Sequence, residues 1–164
     1  MVDLNMEVVQ TVKLTLQSRF KFRCHPGVSC FTECCGRTTI ILTPYDILRL
    51  KKRLSMTSGD FLKEYTSREA HDKSGLPLVL MDMPRFEGRC PFVRPVTGCE
   101  VYSDRPATCR YYPIGQGTLV VEGGGLDEFY FSVKEDHCKG WEEDAEWSIE
   151  TWRALSTVPM PPLP

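Results

Sequence analysis

Apolar and polar residues change their period several times along the chain, and each change marks an element. From residue 1 to 19 the alternation is weak, with Val8, Val12, Leu14 and Leu16 apolar, and predicts a strand or an N-terminal arm. Phe20-Lys-Phe22-Arg-Cys24 alternates as a half-buried strand does, and His25-Pro26-Gly27 turns the chain. Residues 28–35 fit about two helical turns, which would put Cys30 and Cys34 on one face and leave Gly36 as the stop. Thr39-Ile-Ile-Leu42 predicts a buried strand. Thr43 is then a helix N-cap, Pro44 stands at the first helical position, and Asp46 occupies the reciprocal capping position. Ile47, Leu50 and Leu54 mark that helix's buried face, and Lys51, Lys52 and Arg53 suit its negative end. Thr57 and Asp60 open a second helix carrying Phe61, Leu62 and Tyr65.

Pro77-Leu-Val-Leu-Met81 predicts a strand, and residues 84–113, rich in Pro, Arg, Gly and Cys, predict irregular loops with short strands. Thr118-Leu-Val-Val121 and Glu128-Phe-Tyr-Phe-Ser-Val133 flank Glu122-Gly-Gly-Gly125, which reads as a hairpin with a longer loop. Residues 145–156 predict a helix burying Ile149, Trp152 and Leu155. Val158-Pro-Met-Pro-Pro-Leu-Pro164 cannot continue it and reads as a polyproline tail. The expected fold is a small α+β domain over residues 1–157, with the proline-rich tail at 158–164. Two or three helices would lie beside a short, mostly antiparallel sheet, with irregular cysteine-rich loops around a metal centre.

A length of 164 residues allows one domain with an ordinary core, and the 41% apolar content excludes a disordered chain. Lys and Arg total 20 against 22 Asp and Glu, which argues against nucleic acid or an acidic membrane as a required partner. No apolar run approaches the ~18 residues of a membrane span. The opening Met1-Val-Asp-Leu-Asn-Met-Glu has acids and no apolar centre, so no secretory signal is read and a cytoplasmic location is expected.

The 8 cysteines change this picture. Cys24, Cys30, Cys34 and Cys35 form a tight group, and Cys90, Cys99, Cys109 and Cys138 a loose one. Four disulfides would need an oxidising compartment and a strained bond or separate partners for the adjacent Cys34 and Cys35. Metal ligation therefore ranks ahead of disulfides and of inert buried thiols. The spacing lacks the paired cysteines of zinc knuckles, so the whole fold must hold the ligands. Adjacent side chains diverge, so Cys34 and Cys35 suit two metal atoms or two corners of a cluster. A four-thiolate zinc ion and an oxidised four-iron cluster each carry a net charge of about −2, which burial must offset with N–H donors or cations. Arg23, Arg37, Arg89 and Arg110 each lie within two residues of a cysteine, and Arg105 stands in the same arginine-rich stretch. Ordinary salt bridging is the competing reading for each. His25 and His137 flank Cys24 and Cys138 and are alternative ligands. His71 reads as solvated, while Phe92, Tyr111 and Tyr112 read as packing around the centre.

With the cysteines laid out, the chain resembles the YkgJ-type cysteine-cluster proteins, described as a zinc- or iron-chelating family. The resemblance runs through Cys24-x5-Cys30-x3-Cys34-Cys35, Leu42-Thr-Pro-Tyr-Asp46-Ile-Leu-Arg-Leu50 and Cys90-Pro-Phe92. It continues in Cys99-Glu-Val-Tyr102-Ser-Asp-Arg105-Pro106-Ala-Thr-Cys109-Arg110-Tyr-Tyr-Pro113 and ends at Cys138-x-Gly140. Relatives often carry Pro after the last cysteine, where Lys139 stands here. The resemblance implies metal chelation, and the residues point to an iron–sulfur cluster or zinc held through the eight cysteines. Absent zinc knuckles and the vicinal pair tilt the expectation slightly toward iron–sulfur.

Similar cysteine clusters occur in flagellin lysine methylases, so a cluster-dependent enzyme of redox or protein methyl transfer is the alternative. It would show a cleft beside the centre lined by Arg105, Arg110 and Tyr111. A third reading, thiol redox sensing, needs exposed low-pKa cysteines. Gly123-Gly-Gly125 between two strands is a hairpin loop and not a phosphate cradle. The sequence names metal ions as partners and leaves a protein partner open.

Overall fold

The computed structural model describes residues 9–36, 38–72 and 74–157. In chain order the elements are β1 (Val9–Leu14), β2 (Arg19–Lys21), α1 (Pro44–Arg53), α2 (Ser58–Tyr65), β3 (Thr66–Ala70) and β4 (Pro77–Met81). After these come β5 (Val93–Arg94), β6 (Gly98–Cys99), α3 (Ala107–Tyr111), β7 (Ile114–Val120), β8 (Leu126–Val133), β9 (Glu146–Ser148) and α4 (Ile149–Thr157). The fold is mixed α+β, as expected. Its strands form one three-stranded sheet in the order β1-β8-β7 and the pairs β2-β9, β3-β4 and β5-β6, all antiparallel.

Helix α1 starts where the sequence placed it. Asp46 N–H donates to Thr43 Oγ1 at 3.1 Å, and Asp46 Oδ2 accepts from Thr43 N–H at 3.0 Å, which closes the reciprocal capping box. Thr57 caps α2 through Asp60 N–H at 3.1 Å. These helices pack on β4 around a core of Ile40, Leu42, Leu50, Phe61, Met81, Met83, Phe92 and Val101. A second core of Ile114, Tyr130 and Ile149, with Phe20, Trp141 and Trp152 against it, joins the three-stranded sheet to α4. Phe22 lies edge-on to Trp141, Trp152 and Tyr112 at centroid separations of 5.6, 5.8 and 6.1 Å.

Several expectations change. Residues 28–35 do not form an α-helix, because Thr32 stands at φ 70°, and a single 3-10 turn (Glu33–Gly36) follows it. Cys30 and Cys34 are therefore not presented by one helical face. Thr39-Ile-Ile-Leu42 is reduced to one bridge, Ile41 to Leu80, flanked by Leu42 N–H to Val79 and Ile40 accepting from Met81 N–H. Helix α4 begins at Ile149, four residues later than predicted, because Ser148 Oγ accepts from Thr151 N–H at 3.1 Å and residues 146–148 pair with β2 instead. β3 and α3 were not anticipated, and the described residues hold four α-helices where two or three were expected. Residues 1–8 of the predicted strand or N-terminal arm and the whole tail 158–164 lie outside the described residues. No described helix is long and apolar enough to cross a membrane.

Candidate metal centre

All eight cysteines are free thiols and each is half-buried. They arrive on five segments: the end of the β2 strand region, the turn before α1, the β5–β6 loop pair, α3, and the turn before β9. Long-range backbone bonds bring these segments together. Cys90 N–H donates to the Cys35 carbonyl at 2.8 Å, and Arg23 N–H donates to the Gly140 carbonyl at 3.0 Å. Gly140 is required there: a Cβ would lie 2.6 Å from the Phe22 ring and 2.9 Å from the Arg23 carbonyl. Gly98, at φ 78°, precedes Cys99 and takes the edge of Phe31, so a Cβ would meet that ring at 2.8 Å.

Backbone N–H groups point at the sulfurs. Lys139 N–H donates to Cys30 Sγ at 3.1 Å. Cys90 accepts from Phe92 and Val93, Cys99 from Val101, and Cys138 from Gly140. Donors two residues beyond a cysteine are what buried thiolates need, since each one offsets part of the cost of taking the anion out of water. The Tyr112 hydroxyl also bonds Cys138, while donating to Glu135 Oε2 at 2.9 Å.

Burial pushes the thiols up: Cys24 and Cys109 to about 12, Cys90 to about 11, with Cys99 and Cys138 raised as well. Neighbouring thiols add to the shift, Cys34 among them in every case. Cys34 itself moves down, to about 7, because the Cys35 thiol donates to it, and Cys35 is correspondingly raised. Charging the raised thiols together therefore needs positive charge brought into the cluster, which a metal ion supplies. The donor set fits zinc or iron. Among the described residues no three Cys, His, Asp or Glu side chains are already disposed as a cage for an ion, so the thiols share a neighbourhood without yet closing on one point.

Arg105 belongs to this neighbourhood. Its guanidinium acts on Cys24, Cys34, Cys99 and Cys109, stacks 3.7 Å from the centroid of Tyr102, and its Nε donates to the Tyr102 carbonyl at 3.0 Å. Arg110 does not join it. It is buried, and its charged neighbours are Arg49 and Asp46. Arg105 and Arg110 thus have different charged neighbours, the thiols for Arg105 and the pair Arg49 and Asp46 for Arg110. Arg89 turns to the strained residue, donating through Nη2 to the Thr32 carbonyl at 3.2 Å and to Thr32 Oγ1 at 3.4 Å. Arg37 lies outside the described residues.

Both nitrogens of His25 are engaged: Nδ1 accepts from Gly27 N–H at 3.1 Å, and Nε2 faces Glu143 at 3.1 Å. His137 Nε2 is buried with no hydrogen-bond partner, 3.7 Å from Glu135. His71 is exposed, bonding Ser74 at 2.9 Å. Phe92 packs in the first core, not over the sulfurs alone.

Asp46 does more than cap α1. It is fully buried, and its Oδ1 accepts Ala107 N–H at 2.9 Å, so one carboxylate ties the start of α1 to the start of α3 beside Arg105 and Cys109. Arg49 reinforces the tie by bonding the Ser103 carbonyl and Asp104 Oδ1. The acid three residues after Thr43 was visible in the sequence, but its second bond was not.

These features define a cysteine-rich α+β protein whose thiols are free, with Cys90, Cys99 and Cys109 against the first apolar core. Residues 23–139 match the family CxxCxxCC, described as "Putative zinc- or iron-chelating domain", and the chain belongs to that family. The matched span contains every cysteine. The family name spells two-residue gaps, whereas the gaps here are five and three residues before the vicinal pair. No curated protein and no solved structure matches the chain.

Proposed function

We propose that the protein binds metal through Cys24, Cys30, Cys34, Cys35, Cys90, Cys99, Cys109 and Cys138, with an iron–sulfur cluster favoured over zinc. The observation that carries this reading is the gathering of eight reduced thiols from distant segments, with backbone N–H groups already aimed at four of them. A bound metal would supply the positive charge that lets buried thiols ionise. The chain's own part is to hold the sulfurs, to donate N–H bonds to them and to set the Arg105 guanidinium beside them. Arg105 lowers the cost of the anionic centre, and Arg110 supports it only through α3. A cytoplasmic location belongs to the same proposal, because eight unpaired thiols persist in a reducing compartment.

Iron–sulfur ranks first because the vicinal pair suits a polynuclear centre and the spacing lacks the paired cysteines of zinc knuckles. Metal analysis with an absorption spectrum of anoxically purified protein is the test. A brown protein with iron and sulfide, bleaching in air, supports the cluster. A colourless protein with stoichiometric zinc keeps the chelation reading and removes the preference. A protein without either metal, all eight thiols titrating at once in the native state, overturns chelation and favours thiol sensing.

A further inference from the structure

We infer that the eight cysteines divide into two four-sulfur sets, Cys24, Cys30, Cys34 and Cys138 in one and Cys35, Cys90, Cys99 and Cys109 in the other, each holding its own metal centre, with the vicinal pair astride the boundary. The inference rests on the chelation reading and adds to it the partition of ligands. Its geometry comes from the backbone. Lys139 N–H reaches Cys30 Sγ at 3.1 Å, and Arg23 N–H reaches the Gly140 carbonyl at 3.0 Å, so the segment around Cys138 is sewn to those of Cys24 and Cys30. Cys90 N–H bonds the Cys35 carbonyl at 2.8 Å, and Val93 pairs with Cys99 across β5 and β6, so those three cysteines belong to one locality. Packing draws the same line. Cys90, Cys99 and Cys109 all lie against the first core, whereas Cys24, Cys30 and Cys138 do not.

The electrostatic neighbours agree with the backbone. Cys24 feels Cys30, Cys34 and Cys138, and Cys138 feels Cys30 and Cys34. Cys109 feels Cys90, Cys99 and Cys34, while Cys35 feels Cys90 and Cys109 after its partner Cys34. Cys34 reaches both groups, and assigning it to the first gives each set four sulfurs. Four cysteines are the complement that one zinc ion or one four-iron cluster takes. The Cys34 and Cys35 thiols bond each other, which puts the vicinal pair where the two sets meet.

Metal-loaded protein purified anoxically would be treated with graded EDTA, or bipyridyl where iron is present. Released thiols would be alkylated with N-ethylmaleimide and mapped by mass spectrometry while retained metal is measured. The first set lacks the apolar backing of the second and opens first. The expected intermediate retains half the metal and is alkylated at Cys24, Cys30, Cys34 and Cys138 only. A mixed set of four, or release of all eight in one step, overturns the partition. Double variants give a separate reading: Cys24→Ser with Cys138→Ser should lose half the wild-type metal, and Cys24→Ser with Cys90→Ser all of it. Equal loss in the two pairs overturns the partition, and the wild-type mapping decides where a variant fails to fold. Wild-type protein with no zinc or iron sinks the chelation reading itself. Full metal with mixed mapping sinks only the partition.

Discussion

Helices α1 and α2 share an apolar core with Cys90, Cys99 and Cys109, but the helices and the cysteine-bearing segments are kept in shape by different means. The helices carry their instructions within a few residues: a threonine cap, an acid three positions on, and apolar side chains on one face. The cysteine segments carry almost none. They are shaped by single long-range contacts, such as Arg89 to Thr32, Lys139 to Cys30 and Asp46 to Ala107, and by two glycines that make room for rings. Regular elements tolerate the loss of one bond because their neighbours repeat it. An irregular segment does not, so a metal has most to contribute where the backbone repeats least.

Stripping the metal should separate the two regions most sharply. A structural metal contributes on the order of 10 kcal/mol. Hydrogen exchange is expected to speed up across residues 24–36, 89–110 and 138–142 while the amides of α1 and α2 stay protected. Equal loss in both would mean that they form one cooperative unit. Phe61→Ala strikes the shared core and should cost about 3–5 kcal/mol in urea unfolding, with metal content unchanged in the fraction that remains folded. Asp46→Ala strands the N–H groups of Thr43 and Ala107 and should cost about 2–4 kcal/mol. Unlike Phe61→Ala, it should also speed metal release, because it frees the segment that carries Arg105 and Cys109. Arg89→Ala should cost about 1–2 kcal/mol in stability, and its larger effect should appear in the rate of metal loss to a chelator, measured by stopped-flow absorbance. Thr57→Ala is expected to cost about 1 kcal/mol and to leave metal release unchanged. An effect of Thr57→Ala on release would contradict the division drawn between the regions.

That division also explains what the sequence could convey. The caps at Thr43 and Thr57, the apolar face of α1 and the Gly-rich hairpin were legible because each is written in contiguous residues. The Cys30–Cys34 face was misread because nothing local announces that Thr32 adopts a left-handed backbone; the bond from Arg89 that accompanies it comes from 57 positions away. β3 was missed because Thr66-Ser-Arg-Glu-Ala70 has a weak apolar pattern and gains its strand character by pairing with β4. At the candidate site, the eight cysteines and the arginines near them in the chain could be read from the sequence. Which arginine faces them was not, since Arg105 and Arg110 differ by the turn of α3 that intervenes.

Lys139 donates to the sulfur of a residue 109 positions earlier. While the polypeptide is being made, Cys24 and Cys30 leave the ribosome long before the segment that will shelter them exists, whereas Cys90, Cys99 and Cys109 emerge close together in time. The earliest thiols to be synthesised are thus the last to be enclosed, and through that interval the fold gives them no shelter.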